Sequence, residues 1–384
     1  MNDTTPSAAL RRRIRVAVVF GGRSCEHAIS CVTAASVLRV LDPDRYEVVP
    51  IGISTDGRWV LMAPEDTHAL AIIDGRLPAR IDETSGALVT MAADPTAREL
   101  TVHEPGSVPK ALGEVDVVFP LLHGPYGEDG TVQGLLDLAG IAYVGSGVLS
   151  SAVSMDKEFM KRLLVSANLP IGRYVTVRRG EWLRDPRGVG ERVAELGFPL
   201  FVKPARAGSS MGISKVHGPH ELAEAIEAAQ RHDPKVVAEA MVPGREIEVG
   251  VLAGPGGAVR TSLPAEIKVR GGHEFYDFQA KYLDGSTDVE LPADLTGAQL
   301  ARVRDMALAA FEALDCEGLA RVDFFLADDP DGGEPHWLVN EVNTMPGFTT
   351  TSMFPQMWAA SGVSYAQLVD SLIAEALSRP SGLR

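Results

Sequence analysis

Short, almost wholly apolar runs alternate with amphipathic stretches along most of the chain, the pattern of parallel strands covered by helices. Ile14-Arg-Val-Ala-Val-Val-Phe20 is the first such strand, and Gly21-Gly-Arg-Ser24 turns the chain after it. Residues 26–40 then place Ile29, Val32, Ala35, Ser36 and Leu38 at helical spacing. With a strand at 46–53 they make a βαβ unit. From 54 to 112 the pattern weakens to strand-like pieces at 87–91 and 99–103, read as an elaboration of the first domain. A buried strand returns at 115–122 and runs into His123-Gly-Pro-Tyr-Gly-Glu-Asp-Gly130. A helix at 131–139 and a strand at 141–144 close the domain, and Gly145-Ser-Gly147 marks a boundary.

Beyond it, Ser154 is placed to cap a helix with Asp156 and Glu158 in its first turn and an apolar stripe of Phe159, Leu163 and Leu164. Strands are expected at 173–177, 199–203 and 236–242, helices at 190–196 and 221–229, and a break at Pro243-Gly244. A third unit holds strands at 247–253 and 265–269, a polar, glycine-hinged loop across 270–290, and helices at 296–313 and 365–378.

The densest chemistry lies between those last two helices. Arg321-Val-Asp323-Phe-Phe-Leu and Trp337-Leu-Val-Asn340-Glu341-Val-Asn343 read as two strands around an Asp/Gly/Pro-rich turn. A hairpin symmetric about Gly332 sets Asp323 opposite Glu341 and Arg321 opposite Asn343, all four on one face because side chains alternate. Directly opposed Cβ atoms lie roughly 5 Å apart. Two carboxylates and an amide oxygen at that spacing suit a hard cation such as Mg2+ or Mn2+. Arg321 would face whatever anion the metal holds. The plainer alternative is a solvated outer face.

Length and charge narrow the setting. A chain of 384 residues is too long for one typical core, so two or three domains are expected. A net charge of −15 argues against a nucleic-acid partner. Cys25, Cys31 and Cys316 form no CxxC pair and leave one over for any disulfide scheme, which suits a reducing cytosol. No apolar run reaches the roughly 20 residues of a membrane helix. A cytoplasmic protein with a frayed polar start and no membrane partner is expected.

Parts suited to phosphate lie upstream. Ala205-Arg-Ala-Gly208-Ser209-Ser210-Met-Gly212 can turn backbone N–H groups and serine hydroxyls toward an anion, although such loops are more often plain turns. It is no Walker loop, since no Gly-Lys-Ser/Thr follows. Lys203 and Lys157 offer point charges for phosphate. Glu239 and Glu246 flank the Pro-Gly hinge, where they could accept from an adenine amine and a ribose. Each alone is as well explained as a solvated side chain; their order is what a nucleotide clamp needs. A dinucleotide site is disfavoured because the first turn lacks Gly-x-Gly-x-x-Gly.

Taken together, Gly21-Gly-Arg-Ser-Cys-Glu26, His123-Gly-Pro-Tyr-Gly-Glu-Asp-Gly130, Met155-Asp-Lys157, Val202-Lys-Pro204, Gly208-Ser-Ser-Met-Gly212, Ala280-Lys-Tyr282, Arg321-Val-Asp323 and Asn340-Glu-Val-Asn-Thr-Met-Pro-Gly347 resemble the D-alanine–D-alanine ligases of the ATP-grasp superfamily. The motifs run from residue 21 to about 355. The resemblance implies a mixed α/β (α+β) fold of three domains. These are an N-terminal Rossmann-like parallel-sheet domain at 1–149, a central ATP-grasp subdomain at 150–243, and a C-terminal one at 244–384 carrying the metal site and a lid. It implies that ATP phosphorylates the carboxylate of one D-alanine and that the amine of a second attacks the acyl phosphate. The product would be the dipeptide for peptidoglycan.

Roles follow from the same resemblance. Arg321 and the Gly347 backbone would cradle the oxyanion. Asp323, Glu341 and Asn343 would hold two Mg2+ or Mn2+ ions, and the family also admits an activating monovalent cation. Lys157, Lys203 and Lys281 would neutralise phosphate. Ser209, Ser210, Glu239, the hinge residues Ala240 and Val242, Glu246 and Phe324 would complete the ATP site. Glu26 would bind the first ammonium near His123, and Ser209 and Tyr282 would join Glu26 in a closing triad. Ser352, with Met353 beside it, would take the second carboxylate. A lid across 270–290 would keep water from the acyl phosphate, and Tyr282 in it favours dipeptide over D-alanyl-D-lactate. Ala207 and Ala240 depart from the family pattern, and a homodimer is expected. The competing readings are another ATP-grasp ligase, making D-alanyl-D-lactate or joining a different pair, and a non-catalytic nucleotide-binding protein on the same fold.

Overall fold

β1 (Ile14–Gly21) is apolar on both faces because both are covered. It pairs in parallel with β2 (Tyr46–Ile53) on one side and β7 (Val117–Pro120) on the other, and β8 (Ala142–Tyr143) extends the sheet beyond β7. Val16, Val18 and Phe20 pack with α1 (His27–Leu38), while Ala17 and Val19 share a core with α2 (Thr131–Leu138). The weakly patterned segment continues this sheet. β3 (Trp59–Leu61), β4 (Ala87–Met91), β5 (Glu99–His103) and β6 (Lys110–Glu114) run outward from β2 as an antiparallel extension. The computed structural model describes residues 12–72, 76–78, 80–82, 84–97, 99–104, 106–208, 211–269 and 287–380.

Two helices lead out of the first sheet, α3 (Val148–Met155) and α4 (Lys157–Ser166). The expected cap is displaced: Ser154 lies inside the last turn of α3, and Asp156 caps α4. Its carboxylate accepts from the N–H groups of Glu158 and Phe159 at 3.2 and 3.3 Å. An ionised cap also meets the positive end of the helix dipole. The expected stripe turns with it. Met160, Lys161 and Leu164 are buried, whereas Phe159 is 44% exposed.

The next sheet has the order β11-β10-β12-β9, every pair antiparallel. It comprises β9 (Tyr174–Arg178), β10 (Leu200–Pro204), β11 (Ser214–Val216) and β12 (Lys235–Ala240). With α5 (Arg179–Arg184), α6 (Pro186–Ala194) and α7 (Pro219–Gln230) it encloses a core of its own.

Past Pro243 the third sheet begins at once. β13 (Gly244–Ala253) is its middle strand, with β14 (Val259–Thr261), β15 (Ala265–Val269) and β16 (Thr287–Glu290) toward one side, and β17 (Leu319–Ala327) and β18 (His336–Asn343) toward the other. α8 (Gly297–Ala313), opened by a Thr296/Gln299 capping box, covers one face together with residues of α4. The last helices, α9 (Met353–Ala360) and α10 (Tyr365–Ser378), bury Phe354, Trp358, Leu368, Leu372 and Ile373 against Val117 and Phe119 of the first sheet. The first and third units therefore share a core, sealed by Tyr46 Oη donating to Asp370 at 2.8 Å and Arg379 donating to the Gly145 carbonyl at 2.9 Å.

Candidate active site

A cavity of about 1020 Å3 is lined by α1 and loops beside the first sheet and by strands of the second and third. Its floor is the β17–β18 hairpin. The register sets Arg321 opposite Asn343 and Asp323 opposite Glu341, as hairpin symmetry predicts. A bulge then moves the pairing to Phe324 with Val339, so Asn340 has no opposite number on β17. Arg321 Nε and Nη2 donate to the two oxygens of Asp323 at 2.7 and 2.8 Å, and Nε lies 3.3 Å from Glu248 Oε2 on β13. Burial works against this guanidinium, but Asp323 and then Glu248 outweigh it and hold its pKa well above the usual value. Asn343 Nδ2 donates to Asp323 Oδ2 at 3.0 Å.

One sequence assignment fails on this floor. Phe324 is wholly buried, with its ring edge-on to Trp337 at 6.0 Å, and it is Phe325 that lines the cavity. Strand alternation decides this: if Arg321 and Asp323 face the cavity, Phe324 faces the core.

Lys157 and Lys203, expected to meet phosphate, are brought together. Lys157 Nζ donates to the Ala207 carbonyl at 3.0 Å and stands 3.9 Å from Glu341 Oε2. The departure at Ala207 therefore acts through its backbone. Lys203 Nζ lies 2.5 Å from Glu239 Oε2. Burial lowers Lys157, whereas at Lys203 burial is outweighed by Glu239 and Glu341, leaving its pKa raised. Glu239, pushed up by burial, is pulled back to about 2 by Lys161 and Lys203. Ala240, Val242 and Glu246 line the cavity beside them.

The opposite wall is acidic. Glu26 is buried, and its Oε2 would lie 2.7 and 2.5 Å from a Cβ added at Gly124 or Gly208, so a larger residue at either place would make the carboxylate shift. His123 is buried, with Nδ1 3.2 Å from the Met345 carbonyl and Nε2 3.2 Å from Thr33 Oγ1. A carbonyl only accepts, so the ring proton belongs on Nδ1 and Nε2 accepts from Thr33. Burial lowers the ring's pKa, which keeps it neutral. Glu128 accepts the Gly124 N–H at 2.5 Å, and burial followed by Glu26 pushes its pKa up to about 8.

At the far end Gly347, Ser352 and Met353 line the cavity. Ser352 Oγ accepts from the Thr349 N–H at 3.1 Å and stands at the N-cap of α9, where no side chain takes up the first helical N–H groups. Such an end favours a carboxylate. Ser209, Ser210, Lys281 and Tyr282 fall outside the described residues. Cys25 is no nucleophile, since burial and then Glu26 raise its pKa.

Sequence reasoning missed Glu128, Glu248, Lys161 and Phe325. Signals existed for three of them. Glu128 sits within the His123–Gly130 motif, Lys161 is one helical turn from Lys157, and Glu248 and Glu246 share a strand face.

Residues 15–146 match the family described as D-ala D-ala ligase N-terminus, and residues 163–374 match D-ala D-ala ligase C-terminus. The chain belongs to the D-ala D-ala ligase family. It is 56% identical to the D-alanine--D-alanine ligase of Streptomyces griseus over 98% of its own length and 96% of the relative's. Among solved structures, the D-alanine-D-alanine ligase of Coxiella burnetii superposes with a TM-score of 0.76 at 33% identity, covering 96% of this chain and 94% of that one. The VanG D-Ala:D-Ser ligase of Enterococcus faecalis superposes at 0.80, also at 33% identity, covering 95% and 100%. Within this family's fold the cavity lies between α1 and loops of the first unit and strands of the other two, and its floor is the hairpin whose register was legible from sequence.

Proposed function

We propose that this ligase joins two D-alanines at the expense of ATP, through a D-alanyl phosphate, and so supplies D-alanyl-D-alanine for peptidoglycan. The observation that carries the reading is the β17–β18 register, which gathers Arg321, Asp323, Glu341 and Asn343 on the cavity floor between the lysines and Glu26. Units at 1–149, 150–243 and 244–384 are proposed, supported by one sheet falling in each.

The donor set fits divalent ions of the Mg2+ class: two carboxylates and an amide oxygen, all hard, on facing strands. When bound, such ions neutralise the phosphates and draw charge from the transferring group. The protein's side chains do the rest. Lys157 and Lys203 hold the phosphates. Glu26 takes the first ammonium, and Arg321 with the Gly347 N–H stabilises the oxyanion as the second amine adds. The N-terminus of α9 and Ser352 fix the second carboxylate. Holding both amino acids in line contributes about 7 kcal/mol or more in well-oriented systems. The balance is simple: a carboxylate oxygen of the first D-alanine bonds the γ-phosphorus as ADP leaves with the P–O electron pair; the amine nitrogen then forms the new C–N bond, phosphate leaves with the C–O electron pair, and the amine's proton passes to the departing phosphate.

A cytosolic setting is proposed from the free Cys25, Cys31 and Cys316. A homodimer is proposed from exposed Leu138, Val148 and Leu149 on α2 and α3, which a second copy would cover. The test is ADP formation across D- and L-amino acids, with products weighed by mass spectrometry and the assay repeated with K+ against Na+. D-Alanine alone should support turnover to the dipeptide. Depsipeptide formed at neutral pH when D-lactate is added, or D-alanyl-D-serine formed in preference, would move the enzyme to another ligase class.

A further inference from the structure

Lys161 takes no part in the chemistry above, yet among the described residues no lysine is more deeply buried, its side chain being 2% exposed. It lies one turn beyond Lys157 on α4. Its Nζ stands 3.2 Å from Glu239 Oε1 on β12 and donates to the Asn340 carbonyl at 3.4 Å, with the Tyr174 ring centroid 5.8 Å away. Asn340 is the residue the β18 bulge leaves without a partner on β17. One ammonium thus ties the second sheet to the hairpin of the third. Burying it is costly, and lends nothing that a solvated ion pair would not, unless its partner must stay charged.

That partner is shared by two cations. Glu239 and Lys203 line the cavity and Lys161 does not. A nucleotide's phosphates would draw Lys203 away from Glu239. Without Lys161 the carboxylate would then be buried with no cation beside it, and a buried carboxylate without a cation takes up a proton. A protonated acid has a donor of its own and loses its preference for a purine carrying a six-amino donor over one carrying a six-oxo acceptor.

We propose that Lys161 is a positioning residue that keeps Glu239 ionised and aimed at the exocyclic amine of adenine once Lys203 has moved to the phosphates. The inference rests on the nucleotide reading above. Its test compares ATP with ITP in the full-length enzyme and in Lys161→Met. The KM for ATP should rise about tenfold or more, the size of one lost charged hydrogen bond. The value of kcat should stay within about threefold, because uniform binding is what is removed. The ATP-over-ITP ratio of kcat/KM should fall at least about fivefold, and Lys161→Arg should restore most of it. A folded Lys161→Met enzyme with an unchanged ratio would overturn the proposal. If that variant does not fold, Glu239→Gln is put through the same comparison, and an unchanged ratio there has the same force. Calorimetric binding of ATP and ITP without D-alanine separates the two readings. Absence of D-alanine-dependent turnover in the wild type defeats the ligase, while a wild-type binding preference lost in Lys161→Met still upholds the lysine's part.

Discussion

The floor and the acidic wall of the cavity handle charge in opposite ways. On the floor Arg321 is matched by Asp323 and Glu248, and beside it Lys203 by Glu239, so each charge already has a counterpart. On the wall, Glu26 and Glu128 stand close beside a neutral His123, and burial, followed by Glu26, keeps Glu128 protonated. A floor of exchangeable pairs suits a guest bringing anions and cations together, such as a metal-bound nucleotide. A wall with surplus acid suits a lone ammonium. On the proposed function, that difference would divide a nucleotide side from an amino-acid side in one continuous cavity.

The sharpest way to break this contrast is Arg321→Ala. Turnover should fall by about 10^2–10^3-fold, as for loss of an oxyanion donor, while ATP binding by calorimetry stays within a few-fold; equal loss of both would make the residue a fold element. Next in size, Glu341→Gln should raise the Mg2+ needed for half-maximal rate by about 10–100-fold, read by titrating the ion at saturating ATP. On the wall, Glu26→Gln should raise the KM for the first D-alanine by about tenfold, with the KM for ATP unmoved. A rise in both would erase the distinction between the two sides.

The smallest effect is a pH slope. Glu128 binds its proton more tightly folded than unfolded, up to about 8 against 4.5. Its contribution to stability is present below the unfolded value and is lost as pH rises through 8. Glu128→Gln should flatten the fall in Tm of the free protein between pH 5 and 8, measured by scanning calorimetry; a wild-type Tm that climbs across that window would contradict a crowded wall.

What the sequence disclosed depended on how local the cause was. The β1 strand and the β17–β18 register were legible because burial on both faces and period-two alternation are written into neighbouring residues. In the weak segment, β4 and β5 were legible from their apolar runs, while β3 and β6 were not: β3 is only three residues long and β6, Lys-Ala-Leu-Gly-Glu, has little apolar pattern. The cap of α4 was misread because Ser154 and Asp156 both suit the role, and the choice falls to where α3 ends. Glu128, Glu248 and Lys161 carried local signals, but Glu26, Arg321 and Glu239 reach them from segments far along the chain, so the pairings themselves were not legible. The bulge at Asn340 had no signal, since neither Gly nor Pro marks it.

The shared core of the first and last segments orders events at the ribosome. Val117 and Phe119 are made long before the 14 residues of α10 that cover them. A domain that usually folds as it emerges must here wait, with Val117 and Phe119 only partly covered, until α10 has been made. Trimming the C-terminus should therefore cost the amino-terminal half its solubility, though the two lie at opposite ends of the message.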